Sequence, residues 1–290
     1  MKIQPSKTFL TLAALFLAVA AFAQTNTNVT HYAVKGVFKE SRADGRKAVI
    51  KHETIPGYMD AMTMPFNVKN PAELKPLKPG DEITFRLSVT DTEDWIDEIK
   101  KTGERTPTPK PALPPPLNIT QELEPGALMP DCILTNQSGL PVRTSDFKGR
   151  ALAFTFFFTR CPLPTYCPRM NSNLAAVQKA LQTDTAHTNW QLLSISFDPQ
   201  FDTPSQLAAQ ANFYQADTNH WNFATADPAV IRQLSGAFGL MFMREGGSIS
   251  HNLRTVVVDA AGRVQKVFTD NEWQPAEVVA EMKHAMETKP

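Results

Sequence analysis

Cysteine is scarce in this chain, with three residues among 290. That number excludes a disulfide-stapled scaffold, and because it is odd, one thiol is left over if the other two pair. A net charge is also lacking, because 29 basic residues balance 29 acidic ones. Nucleic acids and anionic membranes bind proteins through an excess of basic side chains, so neither is the expected partner. Internal repeats are lacking as well, and the length predicts two modest domains.

The chain contains no long apolar run beyond its N-terminus. The N-terminus itself contains one short apolar run. Lys2 and Lys7 flank its start, the run begins at Phe9, and an Ala-Phe-Ala triplet ends at Ala23. These features are typical of a secretory signal peptide, whereas a membrane-spanning helix needs about 20 apolar residues. We therefore predict a signal peptide over residues 1–23, export to the periplasm, and no membrane span in the mature chain. An uncleaved membrane anchor is the alternative.

Proline is concentrated in one stretch, TPTPKPALPPPLN, which begins at Thr106. Such density favours an extended spacer, so we predict a linker over residues 104–126. The preceding segment, residues 30–103, contains short strand-like runs separated by turn signals, which predicts a small all-β barrel. The following segment, residues 127–290, alternates buried-type strands such as ALAFTFFF with helical stretches, which predicts an α/β fold.

The first domain contains a cluster of soft ligands, His52, Met59, Met62 and Met64. Thioethers carry no charge and select Cu(I) over hard cations, and an imidazole can complete a three- or four-donor site. On a strand, Met62 and Met64 share one face because they are two residues apart. The alternative is that both methionines are core residues and that His52 lies on the surface.

Four motifs in this domain resemble the periplasmic copper-binding domains of the CusF type, namely V-K-G-V-F, V-I-K-H-E, A-M-T-M-P-F and G-D-E-I-T-F, within residues 30–101. The resemblance implies a five-stranded, OB-like barrel that holds Cu(I) through His52, Met62 and Met64. One difference lies just before the Met-x-Met pair, where the family's best-known members cap the copper with tryptophan. Met59 is the nearest residue here, so it is either a fourth donor or part of a more open site.

The second domain contains Cys161 and Cys167, at the point where the strand ALAFTFFF is followed by a helix. The positive end of a helix dipole lowers the pKa of a thiol, which suits both redox chemistry and soft-metal binding. A structural disulfide between the two cysteines is the alternative. His251 opens a later strand, and together with both thiolates it would form a donor set for Cu(I), or for Cu(II) in a stronger ligand field.

The motifs of this second domain are similar to the SCO/SenC family over about residues 127–288, in the order MPDCILT, DFKGRALAFTFFFTRCP, CPRM, SISFDPQFDTP and SHNLRTVVVDAAGRV. That resemblance implies a thioredoxin-like fold and a copper chaperone associated with cytochrome c oxidase assembly. Cys161, Cys167 and His251 stand at the positions of the family's copper ligands. The family usually has three residues between its cysteines, whereas five stand here.

The sequence therefore predicts an OB-like barrel followed by a thioredoxin-like domain, in a protein that holds copper and delivers it to a copper enzyme such as cytochrome c oxidase. A thiol–disulfide oxidoreductase that uses Cys161 and Cys167 is the alternative from the enzyme class, and copper buffering is a third interpretation. Cys132 is expected to be an inert core residue, with a resolving role toward Cys161 as the alternative. Met241 and Met243 are expected to pack in a strand or in the core.

Overall fold

The structure, a computed structural model, describes most of the mature chain predicted above, namely residues 28–42, 45–104, 122–245 and 248–287. The predicted signal peptide over residues 1–23, and residues 105–121 of the predicted linker, lie outside these described residues. Within the described residues, no helix is both long enough and apolar enough to cross a membrane.

The described part of the first domain contains five antiparallel strands, which are β1 (Thr30–Arg42), β2 (Lys47–His52), β3 (Met62–Asn67), β4 (Asp81–Val89) and β5 (Asp94–Glu104). Their spatial order is β3-β2-β1-β4-β5. Buried and partly exposed residues alternate along β3, as expected for a strand with one face on a core. The five antiparallel strands confirm the all-β prediction. Strand pairing leaves β3 and β5 as sheet edges, with an isolated parallel bridge between Val68 and Ile96, so the closed OB-like barrel stays a prediction.

The second domain is built on a seven-stranded sheet. Its strands are β6 (Ile133–Asn136), β7 (Pro141–Arg143), β8 (Ala151–Phe157), β9 (Trp190–Ser196), β10 (Trp221–Thr225), β13 (Thr255–Val258) and β14 (Val264–Phe268), and the strands β11 (Phe242–Glu245) and β12 (Ser248–His251) form a separate hairpin. The sheet order is β14-β13-β8-β9-β10-β6-β7, with β8, β9 and β10 parallel at the centre. Every residue of β8 is buried, which confirms the prediction for ALAFTFFF.

Among the described residues, four α-helices complete this α/β domain, and they are α1 (Cys167–Gln182), α2 (Pro204–Phe213), α3 (Pro228–Ala237) and α4 (Pro275–Glu287). Helix α1 begins at Cys167 with a proline in its first turn, where the missing N–H costs no hydrogen bond. Its buried residues recur at helical spacing, including Met170, Leu174, Val177 and Leu181. Packing of this face against β8 fixes the position of the helix N-terminus at the carboxyl end of the central strand.

Candidate metal centres

The two cysteines and the histidine singled out in the second domain lie together. Cys161 follows β8 in a loop, Cys167 is the first residue of α1, and His251 is the last residue of β12. Their ligand atoms all lie within 4.8 Å of one another, and Cys167 Sγ is 3.6 Å from His251 Nε2. The three thiols of the chain are all free. The structure thus brings together a donor set separated by more than eighty residues in sequence.

The orientation of His251 is set by its own backbone neighbour. Its Nδ1 lies 2.6 Å from the carbonyl oxygen of Asn252. Because a carbonyl oxygen only accepts, Nδ1 carries a proton, and Nε2 is the ring nitrogen that faces Cys167. Aromatic rings surround the imidazole, with centroids 5.0 Å away at Phe197 and 5.5 Å away at Phe158. The imidazole is nevertheless only partly buried.

The two thiols differ in acidity. Burial alone would raise the pKa of Cys161, but hydrogen bonds with Cys167 and His251 outweigh burial and hold that pKa well below its usual value. Burial, together with the hydrogen bond to the Cys161 sulfur, raises the pKa of Cys167 well above its usual value. Cys161 is therefore the more acidic thiol of the pair. The thiolate is the form of cysteine that attacks as a nucleophile and binds soft metals, so Cys161 is the more reactive sulfur of the pair.

A buried carboxylate braces two segments that carry the ligands. Asp198 is fully buried, and its oxygens accept hydrogen bonds of 2.6 Å from Arg160 and from Arg244. Arg160 directly precedes Cys161, and Arg244 lies on β11, the partner strand of the one that ends at His251. The SISFDPQFDTP motif that contains Asp198 was identified by its resemblance to the family, but the roles of the two arginines were missed. An arginine adjacent to a candidate metal-binding cysteine was the available signal.

The histidine and methionines of the first domain are also close in the fold. His52 pairs directly with Met62 across β2 and β3, and Met64 is two residues further on the same face. His52 is 1% exposed, and Met59, Met62 and Met64 are buried in the same hydrophobic cluster. The alternative of a surface histidine is therefore wrong, because β2 turns this side chain inward between apolar neighbours.

His52 uses the same backbone device as His251. Its Nδ1 lies 2.7 Å from the carbonyl oxygen of Glu53, so Nδ1 donates the hydrogen bond and the lone pair of the neutral ring lies on Nε2. The ring also packs edge-on against Phe66, with centroids 5.5 Å apart. In both imidazoles, the carbonyl of the next residue holds Nδ1 and leaves Nε2 for a ligand.

The loop between Cys161 and Cys167 enters the first domain. Leu163, in this loop, is 4% exposed and belongs to the hydrophobic cluster that contains Met59 and Met62. Cys161 is partly buried against the same cluster. The five residues between the cysteines give the loop the length for this contact, which sequence reasoning missed because nothing local in the sequence identifies a partner in another domain.

Hydrogen bonds surround this apolar contact and join the two domains. The Tyr58 hydroxyl donates to the Pro162 carbonyl at 2.9 Å, and the Tyr166 hydroxyl donates to the Pro65 carbonyl at 3.1 Å. The Thr165 hydroxyl donates to the buried carboxylate of Asp94. One further bond, of 2.7 Å, joins the Ser250 hydroxyl to the Thr63 carbonyl. This last bond joins the residue next to His251 with the residue between Met62 and Met64.

The other soft side chains singled out in the sequence are Cys132, Met241 and Met243, and they differ in burial. Cys132 is buried in the core of the second domain, where burial raises the pKa of its thiol, and its backbone N–H donates to the Thr144 hydroxyl at 2.8 Å. This agrees with the expected core role. Met241 and Met243 are 70% and 50% exposed. The expectation that they pack in the core is therefore wrong, although Met243 does lie on a strand, β11.

The fold and site define a class, a thioredoxin-like domain with a two-cysteine, one-histidine centre joined to a small β domain with a histidine and methionine cluster. Residues 120–287 match the family model described as SCO1/SenC. This match covers more than half of the chain, and the chain belongs to the SCO1/SenC family. Residues 31–101 match the family model described as copper binding periplasmic protein CusF. Both family expectations from the sequence are confirmed, and the copper expectation agrees with them.

Individual relatives support the second domain. The chain is 33% identical over 90 residues to the SCO1 protein homolog of Bacillus subtilis, a match that spans 31% of this chain and 45% of that protein. A solved SCO1/SenC family lipoprotein from Bacillus anthracis is 30% identical, with a TM-score of 0.50 over 61% of this chain and all of that one. The solved BsSco, described as having a disulfide switch and as a member of the Sco family of cytochrome c oxidase assembly proteins, is 26% identical, with a TM-score of 0.50 over 58% of this chain and 98% of that one.

Proposed function

We propose that this protein is an exported copper chaperone that holds Cu(I) at Cys161, Cys167 and His251 and delivers it to a copper enzyme. The observation that carries the proposal is the convergence of two sulfurs and one imidazole nitrogen within 4.8 Å. Two thiolates and an imidazole are soft donors suited to copper. Cytochrome c oxidase is the proposed acceptor, because the similar BsSco is described as a member of a family that assembles that enzyme.

The histidine and methionine cluster of the first domain is proposed as a second copper site, with His52, Met62 and Met64 as ligands and Met59 as a candidate fourth donor. Its thioethers are neutral, whereas cysteines bind a metal ion as anionic thiolates. Electrostatic attraction for Cu(I) is therefore greater at the thiol site. The ion is expected to move from the methionines to the thiols, with each thioether exchanged for a thiolate and the Cys167 proton released to water.

The docked domains favour a direct transfer between these sites. Leu163 seats the thiol loop in the methionine-containing cluster, and the Ser250–Thr63 hydrogen bond joins segments from both donor sets. Met64 and His251 also line one shared cavity. Fixed proximity raises the effective concentration of the acceptor ligands for the ion, to about the millimolar range or above.

Copper stoichiometry of the reduced, purified protein tests the assignment. The Cys161→Ser, Cys167→Ser double variant is expected to lose the copper of the thiol site and to retain that of the methionine site. Cys132→Ser is the matched control, because Cys132 is buried away from the other thiols, and it is expected to bind as much copper as the unmodified protein. Unchanged stoichiometry in the double variant would falsify the proposal.

Thiol–disulfide exchange is the second candidate function. The unequal acidity of Cys161 and Cys167 favours it, because a thiolate beside a protonated thiol is the arrangement that attacks a disulfide and then resolves the mixed product. A reducing potential of the pair, with turnover on a disulfide substrate and no copper affinity, would favour this enzyme over the chaperone. Copper buffering uses the same ligands and differs in having no acceptor, so an assay of transfer to an apo oxidase domain separates it from delivery.

A further inference from the structure

A large cleft lies between the two domains, with a volume of about 1150 Å³. Met64 from the first proposed site and His251 from the second both line it. Met241 and Met243 line it as well, and neither belongs to the two sites described above. Four soft-ligand side chains from three segments of the chain thus border one cavity that is open to solvent.

The exposed methionines lie on the side of the hairpin that faces the first domain. Phe242 pairs with His251 across β11 and β12, and Met243 pairs with Ser250. Met241 lies one residue before β11, where its carbonyl oxygen accepts a hydrogen bond of 3.1 Å from the Asn252 N–H and continues the strand pairing. Because side chains alternate along paired extended segments, Met241 and Met243 share the face of Ser250. The Ser250 hydroxyl contacts the Thr63 carbonyl of the first domain, so this face is turned toward the strand that carries Met62 and Met64.

Exposure of two thioethers so close together is notable in a fold that buries most of its large apolar side chains. Their spacing is the same as that of Met62 and Met64, which are two residues apart on β3. This spacing places both thioethers on one side of the hairpin, at the border of the same cavity. The pair therefore offers solvent-accessible soft donors that the core does not require.

The charges around the cleft favour a soft, monovalent ion over a hard divalent one. Its acidic residues, Asp270 and Glu272, are outnumbered by basic side chains that include Arg42, Lys47 and Arg232. Glu272 also forms a 3.3 Å ion pair with Lys47. Hard cations need several carboxylate or carbonyl oxygens, whereas Cu(I) and Ag(I) bind neutral thioethers.

We propose that Met241 and Met243 form a loading site for Cu(I), at which the ion enters the cleft before it reaches Met64 or His251. Two thioethers leave the coordination of Cu(I) incomplete, so a carrier can keep one ligand on the ion while the pair binds it. Release of that ligand completes the exchange, and the copper stays Cu(I) throughout. This inference rests on the proposed copper function and adds the place where the metal is received.

Methionine methyl NMR of the full-length mature protein tests the loading site, with Ag(I) as a redox-inert probe for Cu(I). The protein is labelled with ¹³C at the methionine methyl groups, and signals are assigned through Met241→Leu and Met243→Leu. Ag(I) is expected to shift the signals of Met241 and Met243, and to do so also in the Cys161→Ser, Cys167→Ser variant. Met286→Leu, a change at a partly buried methionine on α4, is the matched control and should leave these shifts unchanged.

A second measurement follows the loading of copper from a Cu(I)–bathocuproine complex. The Met241→Leu, Met243→Leu double variant is expected to load the thiol site more slowly than the unmodified protein and to reach the same final occupancy there. Methyl signals of Met241 and Met243 that stay in place while Ag(I) shifts those of Met62 and Met64 would overturn the loading site and leave the proposed function intact. Signals that respond to an acceptor protein but not to Ag(I) would identify a docking patch instead, and would also overturn it.

Discussion

Replacement of Leu163 by alanine should loosen the contact between the domains while each domain stays folded. Leu163 is almost fully buried, yet it belongs to the loop of one domain and packs in the core of the other. Truncation of a buried leucine to alanine costs about 2–5 kcal/mol. A loop can relax more than a core, so the lower part of this range applies, about 2–3 kcal/mol. Because the contact exists only in the docked state, the loss falls on the docking equilibrium, which should weaken roughly 30- to 140-fold.

Hydrogen–deuterium exchange measures this change directly. Amides that are protected only by docking exchange through the undocked state, so their rates should rise by the same factor as the docking equilibrium falls. We expect the increase in peptides that cover residues 55–66 and residues 159–167. Leu181→Ala is the matched control, because Leu181 is buried within α1 of the second domain alone, and it should raise exchange by destabilising that domain without a selective effect on residues 55–66. Equal protection of residues 55–66 in Leu163→Ala and in the unmodified protein would refute the reasoning.

Two further variants probe the surroundings of the thiol site. Asp198→Asn should lower the free energy of unfolding by about 1–3 kcal/mol and weaken copper binding, because Arg160 and Arg244 lose their shared carboxylate. Calorimetry measures the change in stability, and competition titration measures the copper affinity. Normal copper affinity in a destabilised variant would count against the bracing role of Asp198. Burial raises the pKa of Asp94, so its protonated form favours docking below the ordinary pKa of about 3.9, and docking should weaken as pH rises through the raised value. Asp94→Asn should remove this pH dependence of exchange, and an unchanged pH profile in Asp94→Asn would exclude Asp94 as its source.

Local chemistry explains why much of both candidate sites could be predicted from the sequence. The central strand at Ala151–Phe157 is a continuous apolar run, and its length and flanking helix identify a buried parallel strand. The alternation that buries Met62 and Met64 is equally local, because it follows from the period of a strand. Family likeness then supplied the long-range pairing of the two cysteines with His251, which spacing alone does not provide.

The features that sequence missed depend on contacts between distant segments. Leu163 lies in a proline-containing loop that reads as surface, and its burial depends on the neighbouring domain rather than on its own neighbours in sequence. Met243 was misjudged for the opposite reason, because an apolar strand residue is usually buried and the hairpin here stands apart from the main sheet. Closure of the first sheet into a barrel depends on the pairing of its edge strands, which local patterns do not specify.

The seat of Leu163 in the neighbouring core has a practical consequence for work on the second domain alone. A shortened protein that lacks the first domain would present this leucine to water a few residues from both thiols, together with the edge of Tyr166 that otherwise packs against the same cluster. An exposed apolar side chain at that position favours self-association of the fragment through its metal-binding loop. Copper affinities measured on such a fragment would then include the effect of self-association through a surface that the first domain covers in the intact protein.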